Sequence, residues 1–457
     1  MRNRRQPSRH DLDVLNPRPL ACHVAAAVMV VALGCSGDDQ TAPAEDTAAA
    51  AAATSTSPAS SIVSSSTVGS EGTLEVATTT ATTPDPVTTA VDTTAVDTTA
   101  VNTTAATSTP PVDVPSPAAL GPYGVGRTTV AVTDETRARP LTIDVWYPIA
   151  PGTAGAPAIY SFAPGIELPS AVALADTPAA TDGPFPLVVY SHGSGGLRYI
   201  ASFFTETLAS HGFVVAAPDH TGNTAVELLL GGAASFEASA VDRPLDVSFV
   251  VDQLLAKSAD PADALAGSVD AERIGVAGHS FGGYTALAGV SGITVAGTAV
   301  PADPRVGAIV AMAPATQRLS DAELAAVDVP TMLLVGTSDR TTPVDPNVTR
   351  PWALLPASPR YRVELAAAGH QSFTDVCRYQ RDLPTLADVP ELVIDAVDSF
   401  ATEGCAPELM PIERAHELTN TYAISFFQAH LAGNPGYAAL IEPDAVIGAD
   451  VTVEFAG

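Results

Sequence analysis

Arg273-Ile274-Gly275-Val276-Ala277 runs directly into Gly278-His279-Ser280-Phe281-Gly282-Gly283, and this junction decides the fold. A short β-branched strand ends, a serine stands between glycines two residues away on either side, and a helix-compatible segment follows. This is the G-x-S-x-G pattern of a nucleophile elbow. The serine must sit on a strained turn so that its hydroxyl projects from the sheet, and a side chain at Gly278 or Gly282 would crowd strand against helix. The helix that follows aims its N-terminal dipole at the site, which favours developing negative charge. A glycine-rich turn that merely contains a serine has the same letters, so the rest of the chain decides.

A candidate acid and base follow in order. Pro330-Thr331-Met332-Leu333-Leu334-Val335-Gly336 reads as a buried strand that opens into Thr337-Ser338-Asp339, and Tyr361-Arg362-Val363-Glu364-Leu365 alternates like a strand and leads to Ala368-Gly369-His370. Ser, Asp and His, each just past a strand, follow the chain order of α/β-hydrolases. In that reading Ser280 attacks a carbonyl carbon, His370 carries its proton, and Asp339 fixes the tautomer of the imidazole.

Each position has a rival. Asp345 follows Asp339 but lies in the proline-flanked stretch Pro343-Val344-Asp345-Pro346, a poor strand exit. Of the histidines, His10 and His23 belong to the leader, His211 to the turn Ser210-His211-Gly212, and His416 and His430 to a C-terminal helix. His279, beside the nucleophile, is expected to point elsewhere, because consecutive residues at an elbow diverge. That leaves His370. The oxyanion site needs two backbone donors: the Phe281 amide by position, and one from the loop His192-Gly193-Ser194-Gly195-Gly196 after the strand Pro186-Leu187-Val188-Val189-Tyr190-Ser191. Ser194 is the candidate there; the alternative is a flexible glycine loop with no duty.

From about Tyr123 onward the chain resembles bacterial α/β-hydrolases of the platelet-activating factor acetylhydrolase (isoform II) and dienelactone-hydrolase-like group. The resemblance rests on Val145-Trp146-Tyr147-Pro148, Ser191 to Gly196, Ala217-Pro218-Asp219-His220-Thr221-Gly222-Asn223-Thr224, Asp242-Arg243-Pro244-Leu245-Asp246-Val247 and Gly278 to Gly283. It implies Ser280, Asp339 and His370 as triad and the Ser194 and Phe281 amides as oxyanion hole. Dienelactone hydrolases use a cysteine nucleophile; position 280 is serine, which removes that activity. The expected function is a serine carboxylic ester hydrolase for short-acyl or lipid-like esters, needing no cofactor. A polyester hydrolase of the cutinase type, a serine peptidase and a non-catalytic wall-anchored binding lipoprotein are the alternatives.

The formal net charge of the 457-residue chain is -29, and Lys257 is the only lysine. Such acidity repels a phosphate backbone, so nucleic acid is excluded as a partner. No phosphate-cradling P-loop and no metal-spaced Cys/His cluster stands in the sequence, so no metal is expected.

Residues 1–35 read as a signal peptide: Arg2, Arg4, Arg5, Arg9 and Arg18 precede an apolar stretch from Leu20 to Leu33, too short for a comfortable span. It ends Val31-Ala32-Leu33-Gly34-Cys35, similar to a lipobox, so Cys35 is a candidate lipidation site and the membrane a partner through that anchor. Ordinary signal-peptide cleavage is the alternative. Residues 36–117 are Thr, Ala, Ser, Pro and Asp with almost no aromatics, a composition that buries too little apolar area to offset chain entropy. They read as a disordered tether.

Residues 118–457 read as one α/β domain, a mainly parallel sheet covered by helices on both faces. The strands are expected at Thr128–Val132, Leu141–Tyr147, Leu187–Tyr190, Phe213–Ala217, Ile274–Ala277, Val306–Ala311, Thr331–Val335 and Tyr361–Leu365, with helices including Ala201–Ala209, Leu245–Leu255, Phe281–Ala288 and Ile412–Leu431. Cys377 and Cys405 lie in this domain, and in a secreted chain such a pair suggests a disulfide. The stretch from Thr224 to Val241, with Leu228-Leu229-Leu230 and Phe236, either borders the mouth of the site or packs as a surface helix.

Overall fold

The computed structural model describes residues 114–457; Cys35, the signal segment and nearly all of the tether lie outside them. The strands are β1 (Gly124–Asp134), β2 (Arg139–Ile149), β3 (Pro157–Ala163), β4 (Ile166–Ala175), β5 (Phe185–Ser191), β6 (Val214–Asp219), β7 (Val269–His279), β8 (Ile293–Val295), β9 (Thr298–Val300), β10 (Val306–Met312), β11 (Thr331–Gly336), β12 (Arg360–Leu365) and β13 (Val451–Ala456). All but the β8–β9 hairpin form one sheet in the order β13-β12-β11-β10-β7-β5-β6-β2-β1-β4-β3. From β12 to β6 the pairing is parallel throughout. Antiparallel β2 and β13 flank that centre. This is the α/β-hydrolase fold expected from the sequence.

The apolar strands are continuous because both faces of the sheet are buried. Along β5, Leu187 and Val189 enter one core while Val188 and Tyr190 enter the other. Along β11, Leu333 and Val335 face the first core, and Met332 and Leu334 face the second. The helices that frame the site are α1 (Ser202–Ser210), α2 (Ala225–Leu230), α3 (Phe236–Ala259), α4 (Phe281–Ser291), α5 (Val376–Asp382), α6 (Glu391–Ala401) and α7 (Ile412–His430). Buried residues of α3 and α4 close one core; those of α1 and α7 close the other.

Two departures from the sequence reading concern extent. The helix expected over Leu245–Leu255 runs from Phe236 to Ala259 and passes through Pro244. The sheet also continues past β1 into β4 and β3, and beyond β12 into β13, none of which the sequence reading included.

Candidate active site

Ser280 directly follows β7 and caps α4 with φ 58° and ψ −115°, a positive-φ conformation costly for a residue with a side chain. Neighbouring backbone over-determines it: the Ser280 amide donates to the Met312 carbonyl at the end of β10 (2.9 Å), and the Ala315 amide donates to the Ser280 carbonyl (3.1 Å). The flanking glycines are sterically required. A Cβ on Gly278 would come within 2.3 Å of the Gly282 carbonyl oxygen, and one on Gly282 within 1.8 Å of the Ser191 carbonyl oxygen. A Cβ on Gly283 would fall 2.8 Å from the Pro314 side chain.

The turns after β11 and β12 are stitched together. The Ser338 amide donates to the Ala368 carbonyl (2.9 Å), and a Cβ on Gly336 would collide with that oxygen at 2.2 Å. This contact places Asp339 beside His370. The His370 Nε2 lies 2.9 Å from Ser280 Oγ, and its Nδ1 lies 2.8 Å from Asp339 Oδ2. Burial pushes the Asp339 carboxyl up, but hydrogen bonds from His370 and Thr342, with the charge of His370, outweigh it and hold Asp339 below the usual carboxylate range. Thr342 escaped the sequence reading. Its amide donates to Asp339 Oδ1 (2.6 Å), and its hydroxyl lies 2.8 Å from Asp339 Oδ2, 2.9 Å from the Ala313 carbonyl and 3.1 Å from His370 Nδ1.

The other candidates lie elsewhere. Neither Asp345 oxygen bonds His370, whose Nδ1 is taken by Asp339 and Thr342. His211 Nε2 donates to the Ala119 carbonyl; His416 Nε2 likewise donates to the Thr374 carbonyl and its ring stacks on Phe203, and His430 meets the Tyr361 hydroxyl. His279 is a correction. Its ring does not turn away from the site but packs 4.7 Å from the His370 ring, and its Nε2 donates to the His370 carbonyl (2.8 Å). The reason is space: Gly193 stands opposite, where a Cβ would press on His279 Nδ1 at 3.3 Å.

The loop after β5 approaches the serine closely, since a Cβ on Gly193 would also lie 3.3 Å from Ser280 Cβ. Within it the Gly195 amide donates to the Asn223 carbonyl and the Gly196 amide to the Gly193 carbonyl. Among the described residues, neither the Ser194 nor the Phe281 amide has a hydrogen-bond acceptor. Two unspent donors beside a strained serine suit an oxygen that becomes charged.

Gly193, Ser194, Ser280 and His370 line a cavity of about 320 Å³. Phe162, Leu197, Ile200, Tyr379, Val397 and Phe400 supply much of its apolar wall, and Leu228 and Leu229 of α2 border it. Phe236, by contrast, packs inward on the Phe281 ring at 5.0 Å, so the stretch from Thr224 to Val241 serves both alternatives in turn. Among the described residues Glu403 is the one carboxylate in the lining, and it accepts from the Arg340 and Thr341 amides. Cys377 and Cys405 are disulfide-bonded, closing the segment that carries α6 over this wall. Among the described residues no group of three or more His, Cys, Asp or Glu side chains is arranged to hold a metal ion.

A second Ser–His–Asp chain lies deeper. Ser191 Oγ is 2.9 Å from His220 Nε2, and His220 Nδ1 is 2.9 Å from Asp246 Oδ2. All three side chains are buried, and the Ser191 hydroxyl also accepts from Arg243 (3.0 Å). Burial, with the nearby Arg243, lowers His220 to about 4, so it is neutral and Nδ1–H donates to Asp246. With its hydroxyl engaged on both sides and no strained elbow, Ser191 is held as structure, whereas Ser280 faces the cavity.

The family model described as platelet-activating factor acetylhydrolase, isoform II, matches residues 168–231, from β4 to α2. Proteins named platelet-activating factor acetylhydrolase from Cavia porcellus and Canis lupus familiaris are 28% and 30% identical over 145 and 151 residues. Those alignments cover 24% and 25% of this chain and 33% and 34% of the relatives. The protein of the same name from Bos taurus is 30% identical over 153 residues, with 24% and 34% covered. The chain thus spans about a third of the length of the curated relatives it matches. Over that stretch it resembles the isoform II platelet-activating factor acetylhydrolases.

Proposed function

We propose that the protein is a serine carboxylic ester hydrolase working through an acyl-enzyme, with Ser280, His370 and Asp339 as its triad. The observation that carries this is the unbroken chain from the Ser280 hydroxyl through both ring nitrogens of His370 to Asp339, at the wall of an apolar cavity. Ser280 Oγ attacks the ester carbonyl while His370 Nε2 takes its proton; Asp339 stabilises the imidazolium without accepting that proton. The carbonyl oxygen, now charged, accepts from the Ser194 and Phe281 amides. His370 then protonates the leaving alcohol. Water repeats the sequence on the acyl-enzyme and frees the acid.

The wall and the relatives' name support the substrate class. An apolar cavity whose one carboxylate is already hydrogen-bonded favours uncharged acyl groups, and a short-acyl or lipid-like ester fits a resemblance to acetylhydrolases. A panel of p-nitrophenyl esters of rising acyl length, run beside peptide amides, tests this. Turnover of short esters is expected; peptide cleavage without ester turnover would overturn it. Extracytoplasmic anchoring through Cys35 belongs to the same proposal. Palmitate labelling of cells making the protein is expected and should vanish in Cys35→Ala; label that survives the substitution would contradict it.

A further inference from the structure

Arg243 is wholly buried in α3, yet its guanidinium is not spent on a carboxylate. Nη1 donates to Asn223 Oδ1 (2.6 Å), and Nη2 donates to the Ser191 hydroxyl (3.0 Å) and to the His192 carbonyl. The two acids nearest in sequence, Asp242 and Asp246, are instead held by Arg137 and Arg139, and Asp246 by His220 as well. Burying a cation against neutral acceptors costs stability that an apolar side chain would not, and such costs concentrate where a charge has a task. Burial brings the guanidinium down to about 9, with Asp246 pulling the other way, so it stays charged at neutral pH.

The acceptors share a location. His192 directly precedes Gly193 and Ser194, and its carbonyl is also where Gly282 of α4 makes its close approach, with a Cβ there 3.0 Å from that oxygen. Asn223 in turn holds the loop at two points: its side-chain amide donates to Ser194 Oγ (3.3 Å), and its carbonyl accepts the Gly195 amide (3.2 Å). On the opposite side, the guanidinium carbon stands 4.6 Å from the centre of the Phe281 ring. One side chain therefore touches the supports of both amides assigned to the oxyanion site.

We infer that Arg243, acting through Asn223, is the positioning residue of the oxyanion site. It sets the Ser194 loop against the N-terminus of α4 by its hydrogen bonds and its stacking on Phe281. Its positive charge stands behind the loop and the ring that carry the two assigned amides, and a fixed charge in a dry interior favours an oxygen that becomes negative there over the neutral ground state. The Ser191–His220–Asp246 chain orients the Ser191 hydroxyl so that its lone pair faces Nη2, which gives that buried chain a purpose. The inference rests on the proposed role of Ser280.

The test uses purified full-length protein, Arg243→Lys and Asn223→Ala, each first checked for cooperative thermal unfolding. Two quantities are read: kcat and KM on p-nitrophenyl acetate, and the inhibition constant of an aliphatic trifluoromethyl ketone, whose adduct with a serine hydroxyl carries an oxyanion. Arg243→Lys keeps the charge and loses the fork, so kcat is expected to fall roughly a hundredfold with KM within about threefold. Ketone affinity should weaken by the same factor, and Asn223→Ala should show the same pattern at about tenfold. A merely structural role would lower the unfolding temperature without moving kcat and ketone affinity together. Folded variants with both constants within threefold of wild type overturn the inference alone. So does failure of both variants to fold, which assigns the pair to structure. A wild type that hydrolyses no ester overturns this inference and the proposed function together.

Discussion

His279 Nε2 donates to the backbone carbonyl of His370 at 2.8 Å, and the two imidazole rings pack 4.7 Å apart. The residue before the candidate nucleophile thus holds the main chain of the candidate base. Burial, with the neighbouring His370, lowers His279 to about 3, so it is neutral and its one ring proton serves that bond. Replacing it with phenylalanine keeps a ring and removes the donor. His279→Phe is expected to lower kcat by roughly tenfold to a hundredfold with little change in KM, because small displacements of a reacting group are costly. Steady-state kinetics on p-nitrophenyl acetate checks this; unchanged kcat would show that the bond does not position His370.

Thr342 makes the corresponding contact on the acid. Thr342→Val preserves the amide bond to Asp339 Oδ1 and removes the hydroxyl that touches Asp339, Ala313 and His370. A loss of about 1 kcal/mol of transition-state stabilisation is expected, roughly a fivefold fall in kcat/KM. Equal kcat/KM in the two proteins would make the hydroxyl irrelevant to the pair.

The Cys377–Cys405 bond closes a 28-residue separation that includes α6 of the cavity wall. The Gln371 amide also donates to the Glu403 carbonyl, tying this segment to the residue after His370. Cys377→Ala/Cys405→Ala is expected to lose about 3–4 kcal/mol of stability in denaturant unfolding, on the chain-entropy account. KM for esters should rise more than kcat falls, since this wall is the proposed acyl-binding surface. A double variant with unaltered stability would contradict it.

Asp375 carries a pH signature. Burial raises its carboxyl to about 6 against the hydrogen bond from Ser202 and the charge of Arg378. The folded state therefore binds more protons than the unfolded state between about pH 4 and 6. The sign follows: this group favours folding at low pH, and that contribution is lost as pH rises through 6. Asp375→Asn is expected to gain stability relative to wild type at pH 8, up to about 3 kcal/mol, with the gain shrinking toward pH 4. Thermal unfolding across that range decides; a difference independent of pH would remove Asp375 as its source.

Much of the centre was legible because it is built from continuous apolar runs, each ending in a turn that bears a chemical group. Gly278 and Gly282 were legible for the same steric reason the backbone displays, a carbonyl 1.8–2.3 Å from any added Cβ. The β3–β4 hairpin was not. Pro157, Pro164 and Pro169 punctuate it, although Ile166, Leu168 and Ser170 do alternate into the core. Thr342 escaped as well, since a threonine three residues past an aspartate carries no mark of the His370 it also meets. His220 and Arg243 stood in stretches that carry the resemblance without a role, because the partners that define one are 20 to 52 residues away. His279 was misplaced because the elbow's divergence was weighed without Gly193, which leaves the ring its room.

The most direct measurement is intact-protein and peptide mass spectrometry after reaction with a fluorophosphonate, which phosphonylates an activated serine. Wild type should gain one adduct, mapped to Ser280, while Ser280→Ala stays unlabelled and loses at least about 10⁴-fold in kcat on p-nitrophenyl acetate. An unlabelled wild type, an adduct on Ser191 or elsewhere, or wild-type turnover by Ser280→Ala would contradict Ser280 as the nucleophile.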